Sequence, residues 1–408
     1  MPAGSAWTLV AGRVLTPDEE LAPGAVTLDR VAGVVTELTA LDPSAGRGGW
    51  PAGAVDLGDR VVVPGFVDVH THGGAGRFVN GDDPSEVAAD LAEIGRFFAA
   101  HGTTAFVATT VSDSRRRTLA TLRGIAEARA RDAAAAAGPA GARVVGANLE
   151  GPFIAPARMG AHTRTKLRPP DRAELDEWID AGAGAVLLVT LAPELPGALE
   201  LVEHARRRGV QVAVGHTDAD FATVRRAFEA GATHVTHLFN AMSPLHHREP
   251  GAVGAALVTP GVTLEVIADL EHVHPAALCL AARSAPGRLV AVTDSVPAAG
   301  LGDGRHPLGD RDVVVAGGRV VLADDPATLA GSVLTMDRAL ANLAGPAGLG
   351  WHDALRAVTS TPGAIVGGGH GRIEPGGPAD LVVLEADLRV AATIVGGRPV
   401  HDPGGLFA

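Results

Sequence analysis

Cysteine is nearly missing from this chain: among 408 residues only Cys279 carries a thiol. One thiol excludes an intramolecular disulfide framework. Cys279 lies in an apolar helical pattern, which predicts a core position. Tyrosine is absent and aromatic residues make up 3% of the chain, so Ala, Val, Leu and Gly must fill the core. An apolar fraction of 46% gives them material to do so. Lysine occurs once, at Lys166, while arginine is abundant. No stretch reaches the ~20 apolar residues of a membrane span. The start, Met1-Pro2-Ala3-Gly4-Ser5-Ala6-Trp7, lacks the basic and apolar segments of a secretory leader. A cytoplasmic protein without membrane contact is expected. The net charge of −12 argues against a nucleic-acid binder. It leaves room for a small anionic substrate held by a few local cations.

What is present divides the chain in three. Residues 7 to 63 read as short strands, such as Trp7-Thr8-Leu9-Val10 and Ala25-Val26-Thr27-Leu28, cut by Gly, Pro and Asp turns. The far end reads alike, with Ala379-Asp380-Leu381-Val382-Val383-Leu384 and Ala392-Thr393-Ile394-Val395. The two ends are expected to pair into one small β-domain, residues 1–60 and 366–408, around a large domain at 61–365. In the large domain apolar strands alternate with helical patterns. Strands are expected near 62–70, 103–110, 143–150, 184–191, 210–216, 232–238, 262–268 and 288–294. Helices are expected at 84–100, 114–137, 171–181, 196–208, 218–230 and 274–285. Eight such units predict an α/β fold, a (β/α)8 barrel of the TIM type, with an open doubly wound sheet as the alternative. Two inserts break the rhythm: 151–170, and a Gly-rich stretch at 302–323 that reads as a hairpin.

The chemistry collects where these strands end. Val61-Val62-Val63-Pro64-Gly65-Phe66-Val67-Asp68-Val69-His70-Thr71-His72 ends in His-x-His, and strand alternation puts His70 and His72 on one face. The glycines that follow allow a sharp turn and leave room above the strand end. Strand three ends in Glu150, strand five in His216, strand six in His237 and strand eight in Asp294. Singly, a strand-end carboxylate is commonly a cap and a strand-end His commonly structural. Six such groups at one end of five strands resist that explanation. In a barrel that end is where active sites lie. Imidazoles and carboxylates suit zinc or iron, with an open position for water. Metal-bound water deprotonates near neutral pH and becomes a nucleophile. A nearby carboxylate, for which Asp294 is the candidate, can take its proton and return it to a leaving nitrogen. Hydrolysis of a carbon–nitrogen or ester bond is the implied reaction. His101 is expected to cap a helix and His234 to pack outward. His204, His352, His370 and His401 are assigned to structure or surface.

These residues, in this order, resemble the amidohydrolase superfamily, and within it the N-acetylglucosamine-6-phosphate deacetylase family. The likeness runs from Val63-Pro64-Gly65-Phe66-Val67-Asp68 to Gly376-Gly377-Pro378-Ala379-Asp380. Its most specific parts are Leu149-Glu150-Gly151-Pro152-Phe153, Gly215-His216-Thr217, Thr236-His237-Leu238-Phe239-Asn240-Ala241-Met242, Arg248-Glu249-Pro250-Gly251 and Val292-Thr293-Asp294. The resemblance implies Glu150, His216 and His237 as main metal ligands, with His70 and His72 serving a second ion. One or two divalent ions per chain are implied, zinc first and iron as the alternative. Asp294 would be a ligand and the catalytic acid/base. His162, beside Ala161, would contact the sugar and the amide carbonyl. Asn240, Ala241, Arg248 and His272 would hold a 6-phosphate, and Leu329-Ala330-Gly331 would flank the substrate. Arginine, with its fork of donors, suits that role. Leu270-Glu271, before His272, departs from the smaller residue usual there.

The implied substrate is a phosphorylated amino sugar, N-acetylglucosamine 6-phosphate or its galactosamine epimer, and the implied assembly is a homodimer. Relatives that bridge two metals with a carboxylated lysine do not fit, because strand four offers no lysine and Lys166 lies in a polar loop. A non-catalytic scaffold on this fold would have lost ligands or Asp294, and none is lost.

Overall fold

The computed structural model describes residues 6–134 and 138–407. The reading of Met1–Ser5 as free of a leader, and the last three residues of the helix expected at 114–137, lie outside the described residues. Eight parallel strands form the central sheet: β1 (Phe66–Thr71), β2 (Thr103–Thr110), β3 (Arg143–Glu150), β4 (Val186–Leu191), β5 (Gln211–Val214), β6 (His234–Val235), β7 (Thr263–Ile267) and β8 (Leu289–Val292). Each strand pairs with its neighbour in sequence, from β1 through to β8. An open doubly wound sheet needs a point where that order reverses, so the alternative fails. The ends meet at the C-terminal rim, where Asp294 N–H donates to the His70 carbonyl at 2.9 Å and Thr71 bridges to Ser295. The result is a TIM-type barrel.

Helices wrap it for ordinary reasons. In Pro84–Ala99, Asp83 accepts from the N–H groups of Ser85 and Glu86, and Pro84 opens the first turn. Val87, Leu91, Ile94 and Phe98 then fall on the buried face. After β8 come three further helices, Met336–Ala344, Trp351–Val358 and Ser360–Val366, that the sequence pattern alone did not single out. Cys279 is half-buried rather than core. Its helix, Pro275–Ser284, buries Leu278 and Ala281, and Cys279 lies to one side of that face.

The first expected strand is two strands. Val61–Pro64 belongs to a six-stranded sheet, pairing antiparallel with Leu381–Leu384 from the far end of the chain. Phe66–Thr71 belongs to the barrel. The break falls at Gly65, where a Cβ would lie 2.1 Å from the Thr104 hydroxyl. Alternation sends Val62 and Val383 into the core of the small β-unit, and Val61, Val63 and Val382 into the barrel's outer layer. Both chain ends thus build one sheet, and burial on both faces explains why the run is apolar throughout. A four-stranded sheet of Ala6–Ala11, Gly24–Asp29, Val34–Ala40 and Val55–Asp56 completes the unit.

The stretch at 302–323 is a three-stranded meander, not one hairpin: Gly304–Leu308, Arg311–Ala316 and Arg319–Leu322. Gly309 turns the chain once, and Gly317-Gly318 turns it again, all three at positive φ. Its first turn overhangs the barrel mouth.

Candidate active site

The barrel mouth gathers the six predicted ligand groups, each buried. His70 and His72 leave β1 on one face, and their Nε2 atoms lie 3.3 Å apart. Glu150 is the last residue of β3. His216, His237 and Asp294 each sit two residues past a strand, β5, β6 and β8. All three have positive φ, at 47°, 28° and 47°. A left-handed non-glycine residue costs on the order of 1–3 kcal/mol and persists only where its surroundings hold it. Here that turn folds each side chain back over the mouth. The glycines after His72 act differently from expectation. Gly73 has no positive φ; a Cβ there would lie 2.1 Å from the Arg77 carbonyl oxygen, and Ala75-Gly76 make the turn instead.

Hydrogen bonds set which nitrogen three of the four rings turn inward. His70 Nδ1–H donates to Glu265 Oε2 at 2.9 Å. His72 Nδ1–H donates to the Thr109 carbonyl at 3.1 Å, and His216 Nδ1–H to the Arg158 carbonyl at 2.7 Å. Each leaves an Nε2 lone pair facing the centre. Pinning the outer nitrogen in this way is how proteins orient histidines that hold metals. His216 and His237 Nε2 lie 3.1 Å apart, and each is 3.0 Å from Glu150 Oε1. His72 Nε2 is 3.2 Å from Glu150 Oε2 and 3.1 Å from Asp294 Oδ1. Lone pairs so arranged repel unless protons or a cation lie among them. His70, His72 and Asp294 lie close enough to hold one ion, and Glu150, His162 and His216 to hold another, with His237 beside the second group.

The electrostatics agree. Burial pulls the His70 and His72 imidazoliums down, but facing carboxylates outweigh it. His70 is raised well above its usual value by Glu265 and Glu150, and His72 reaches about 9 beside Asp294 and Glu150. Burial pushes Glu150 up, yet His70 and His216 hold it well below the carboxylate range. Asp294 is likewise lowered against its burial by His72 and His70.

A cavity of about 400 Å3 opens over this cluster. It is lined by His162 and Ala161, by Asn240, Ala241 and His272, and by Leu329, Ala330 and Gly331. His162 Nδ1 accepts the Ser112 N–H at 3.1 Å, which puts the ring's proton on Nε2, 3.2 Å from Glu150. That proton is directed at Glu150, and with Glu150 and His216 the ring also lies close enough to hold an ion. His272 Nδ1 pairs with Asp269 at 2.7 Å. Burial works against its charge, and the Asp269 hydrogen bond prevails and raises it. The loop before it is strained: Leu270 sits at φ 72°, a conformation that favours glycine, while Asp269 Oδ1 accepts from the N–H groups of Glu271 and His272.

Arg248 departs from expectation. It lies on an exposed turn outside the cavity lining, and its Nη1 faces His247 at 2.7 Å. His234 also departs. It is fully buried, with Nε2 2.8 Å from Glu265 Oε1, rather than packed outward. Glu265 and Asp68 were missed altogether. Asp68 accepts the Thr293 hydroxyl at 2.5 Å, and burial pushes it up to about 6. The available signal was a carboxylate inside an apolar strand: Phe66-Val67-Asp68-Val69 and Leu264-Glu265-Val266-Ile267. The histidines assigned to structure or surface, His101, His204, His352, His370 and His401, do not line the cavity.

Imidazoles and carboxylates at the C-terminal mouth of a (β/α)8 barrel, under a pocket with a donor aimed inward, define a metal-assisted hydrolase. The chain belongs to the amidohydrolase family, whose model matches residues 61–400. It is 37% identical over 343 residues to an N-acetylglucosamine-6-phosphate deacetylase of Bacillus subtilis, covering 83% of this chain and 84% of that one. An N-acetylgalactosamine-6-phosphate deacetylase of Escherichia coli O157:H7 is 36% identical over 350 residues, 85% of this chain and 90% of its own. Among solved structures, an aspartate-to-alanine variant of N-acetyl-D-glucosamine-6-phosphate deacetylase from Mycobacterium smegmatis, in complex with N-acetyl-D-glucosamine-6-phosphate, superposes with a TM-score of 0.88. It is 35% identical, with 97% of this chain and 100% of that chain covered. No helix among the described residues is long and apolar enough to cross a membrane.

Proposed function

We propose that this chain hydrolyses the N-acetyl group of N-acetylglucosamine 6-phosphate, giving glucosamine 6-phosphate and acetate. The observation that carries the reading is the convergence of six ligand groups with three tautomers pinned for metal, beneath a donor-lined pocket, in a chain with deacetylase relatives. Divalent metal held by Glu150, His216 and His237, with His70, His72 and Asp294 on the second side, supplies an activated water and a polarised carbonyl. Zinc suits this donor set, and iron is the alternative. The chain's own groups do the rest. His162 Nε2–H donates to the amide oxygen as charge develops there. Asp294 takes a proton at its carboxylate and passes it to the departing amine nitrogen. His272, whose charged form Asp269 favours, and the backbone at Asn240 and Ala241 take the phosphate. The epimeric sugar phosphate is the second reading, favoured by the Escherichia coli relative.

A homodimer suits the same reading. Val258, the last residue of helix Gly251–Val258, is exposed together with Leu245 and Leu280. Arg248 lies in the same exposed loop as Leu245, and a partner docked there would be its route to a phosphate. A metabolic enzyme with one thiol suits the cytoplasm. Acetate release tests the proposal, with N-acetylglucosamine 6-phosphate, its galactosamine epimer and unphosphorylated N-acetylglucosamine compared on a sample of measured metal content. Rapid turnover of the glucosamine phosphate alone is expected. Full metal with no turnover of any of the three removes this substrate class.

A further inference from the structure

Glu265 takes no part in the chemistry above, yet its carboxylate meets two of the site's histidines from beneath the mouth. It is fully buried in the middle of β7. Its Oε2 accepts twice, from His70 Nδ1–H at 2.9 Å and from the backbone N–H of His237 at 3.1 Å. Its Oε1 lies 2.8 Å from His234 Nε2. The far nitrogen of His234 meets the hydroxyl of Thr263, which in turn bonds the Thr233 carbonyl. One carboxylate thus fixes the ring of a ligand from β1 and the backbone of a ligand beyond β6. The second of these needs holding, because His237 sits at φ 28°. Both links act through a single oxygen, so a small displacement of Glu265 moves two ligands together.

We propose that Glu265, anchored from below by His234, is a positioning residue that holds His70 and His237 in register, and so sets how tightly the two sides of the site retain metal. The inference rests on the metal-centre reading above and extends it to a group that no ligand count includes. Losing the carboxylate frees the His70 ring to take the other tautomer. With its proton on Nε2 that ring can no longer bind metal, and the His237 turn loses the acceptor that holds it. An outer partner of this kind typically contributes about 10- to 100-fold in metal affinity.

The test is a zinc titration against a competing chelator on the full chain, with the visible spectrum of the cobalt(II)-loaded protein as a second readout. Wild type, Glu265→Gln and Glu265→Ala are compared. Glu265→Ala is expected to weaken zinc binding about 10- to 100-fold and to alter the cobalt bands that report ligand geometry. Glu265→Gln, whose amide oxygen can still accept from His70 and His237, should recover most of both. Wild-type affinity and spectrum in Glu265→Ala overturn the proposal, as does an equal loss in Glu265→Gln, which would assign the effect to charge. If Glu265→Ala does not fold, His234→Leu decides. It releases the second oxygen and leaves every ligand in place, so weaker zinc binding supports the role and unchanged binding removes it. A wild-type chain that binds no zinc or cobalt would instead sink the metal-centre reading.

Discussion

Two buried carboxylates, Glu150 at the barrel mouth and Asp380 where the barrel meets the small β-unit, face opposite situations. Asp380 is satisfied by the protein alone. Arg143 Nη1 reaches both of its oxygens at 2.9 Å, Gly396 N–H donates at 2.7 Å, and His370 stands at 3.3 Å. Around Glu150 the rings of His70, His72 and His216 have committed their outer protons elsewhere and turn Nε2 toward it, an arrangement that only protons or a metal on those nitrogens reconcile with the carboxylate. The first arrangement is complete, and its product is stability: it ties the start of β3 to the strand that pairs with Val61–Pro64. The second is incomplete without a cation, and an incomplete buried cluster is costly unless a ligand finishes it. Buried charge alone does not mark a functional site. Buried charge that the protein leaves unmatched does.

Substitution should separate the two sharply. Glu150→Gln should lose more metal affinity than the ~10–100-fold typical of an outer partner, and turnover with it. The metal-free variant should melt no lower than metal-free wild type, because amide protons relieve facing lone pairs. Chelator-treated melting curves and metal content check both halves. A large drop in metal-free stability would mean that the mouth, like Asp380, is built to be complete on its own.

Asp294 sharpens the contrast within the mouth. Asp294→Asn keeps the side chain's shape and removes its capacity to hold a transferred proton. Turnover should fall by about 10²–10⁴-fold, the usual worth of a general acid–base group, with metal content close to wild type. Metal lost in proportion to activity would make Asp294 a ligand first and a proton carrier second.

The small-unit carboxylate should behave in the reverse sense. Removing one partner of a buried pair costs about 3–5 kcal/mol, so Asp380→Asn should lower the denaturant midpoint strongly. Metal affinity and KM should stay near wild type. A change in metal affinity as large as the change in midpoint would join the two regions that the geometry separates.

Much of this contrast was legible before any coordinates. The eight-unit barrel, the pairing of the two chain ends and the six strand-end groups followed from periodicity and residue type, because strand alternation is rigid and the mouth of a barrel collects its strand ends. What escaped lay in contacts with no local pattern. Glu265 and Asp68 interrupt apolar strands by one residue each, and which partner they meet is decided across the barrel, at β1, β6 and β8. His234 read as outward because period two from His237 cannot be followed through a strand of only His234–Val235 whose continuation turns at positive φ. Arg248 carried a motif, but its turn lies outside the cavity lining, and a sequence motif does not fix where its loop is placed.

The last prediction turns on pH. Burial alone would raise the Asp380 carboxyl, but His370, Arg143 and the Gly396 N–H together hold it below its ordinary value. A carboxyl whose folded value is depressed stabilises the fold fully above its unfolded value, near 4. That share drains away as pH falls through the folded value. Wild type should therefore lose stability more steeply than Asp380→Asn as pH drops from about 5 to about 3. The mouth carboxylates titrate in both proteins, so their contribution cancels in the difference. Denaturant midpoints of the metal-free proteins across that range measure it. Parallel slopes would show that Asp380 is held ionised no more firmly in the fold than in the unfolded chain, and the junction would lose its claim to be the completed half of the pair.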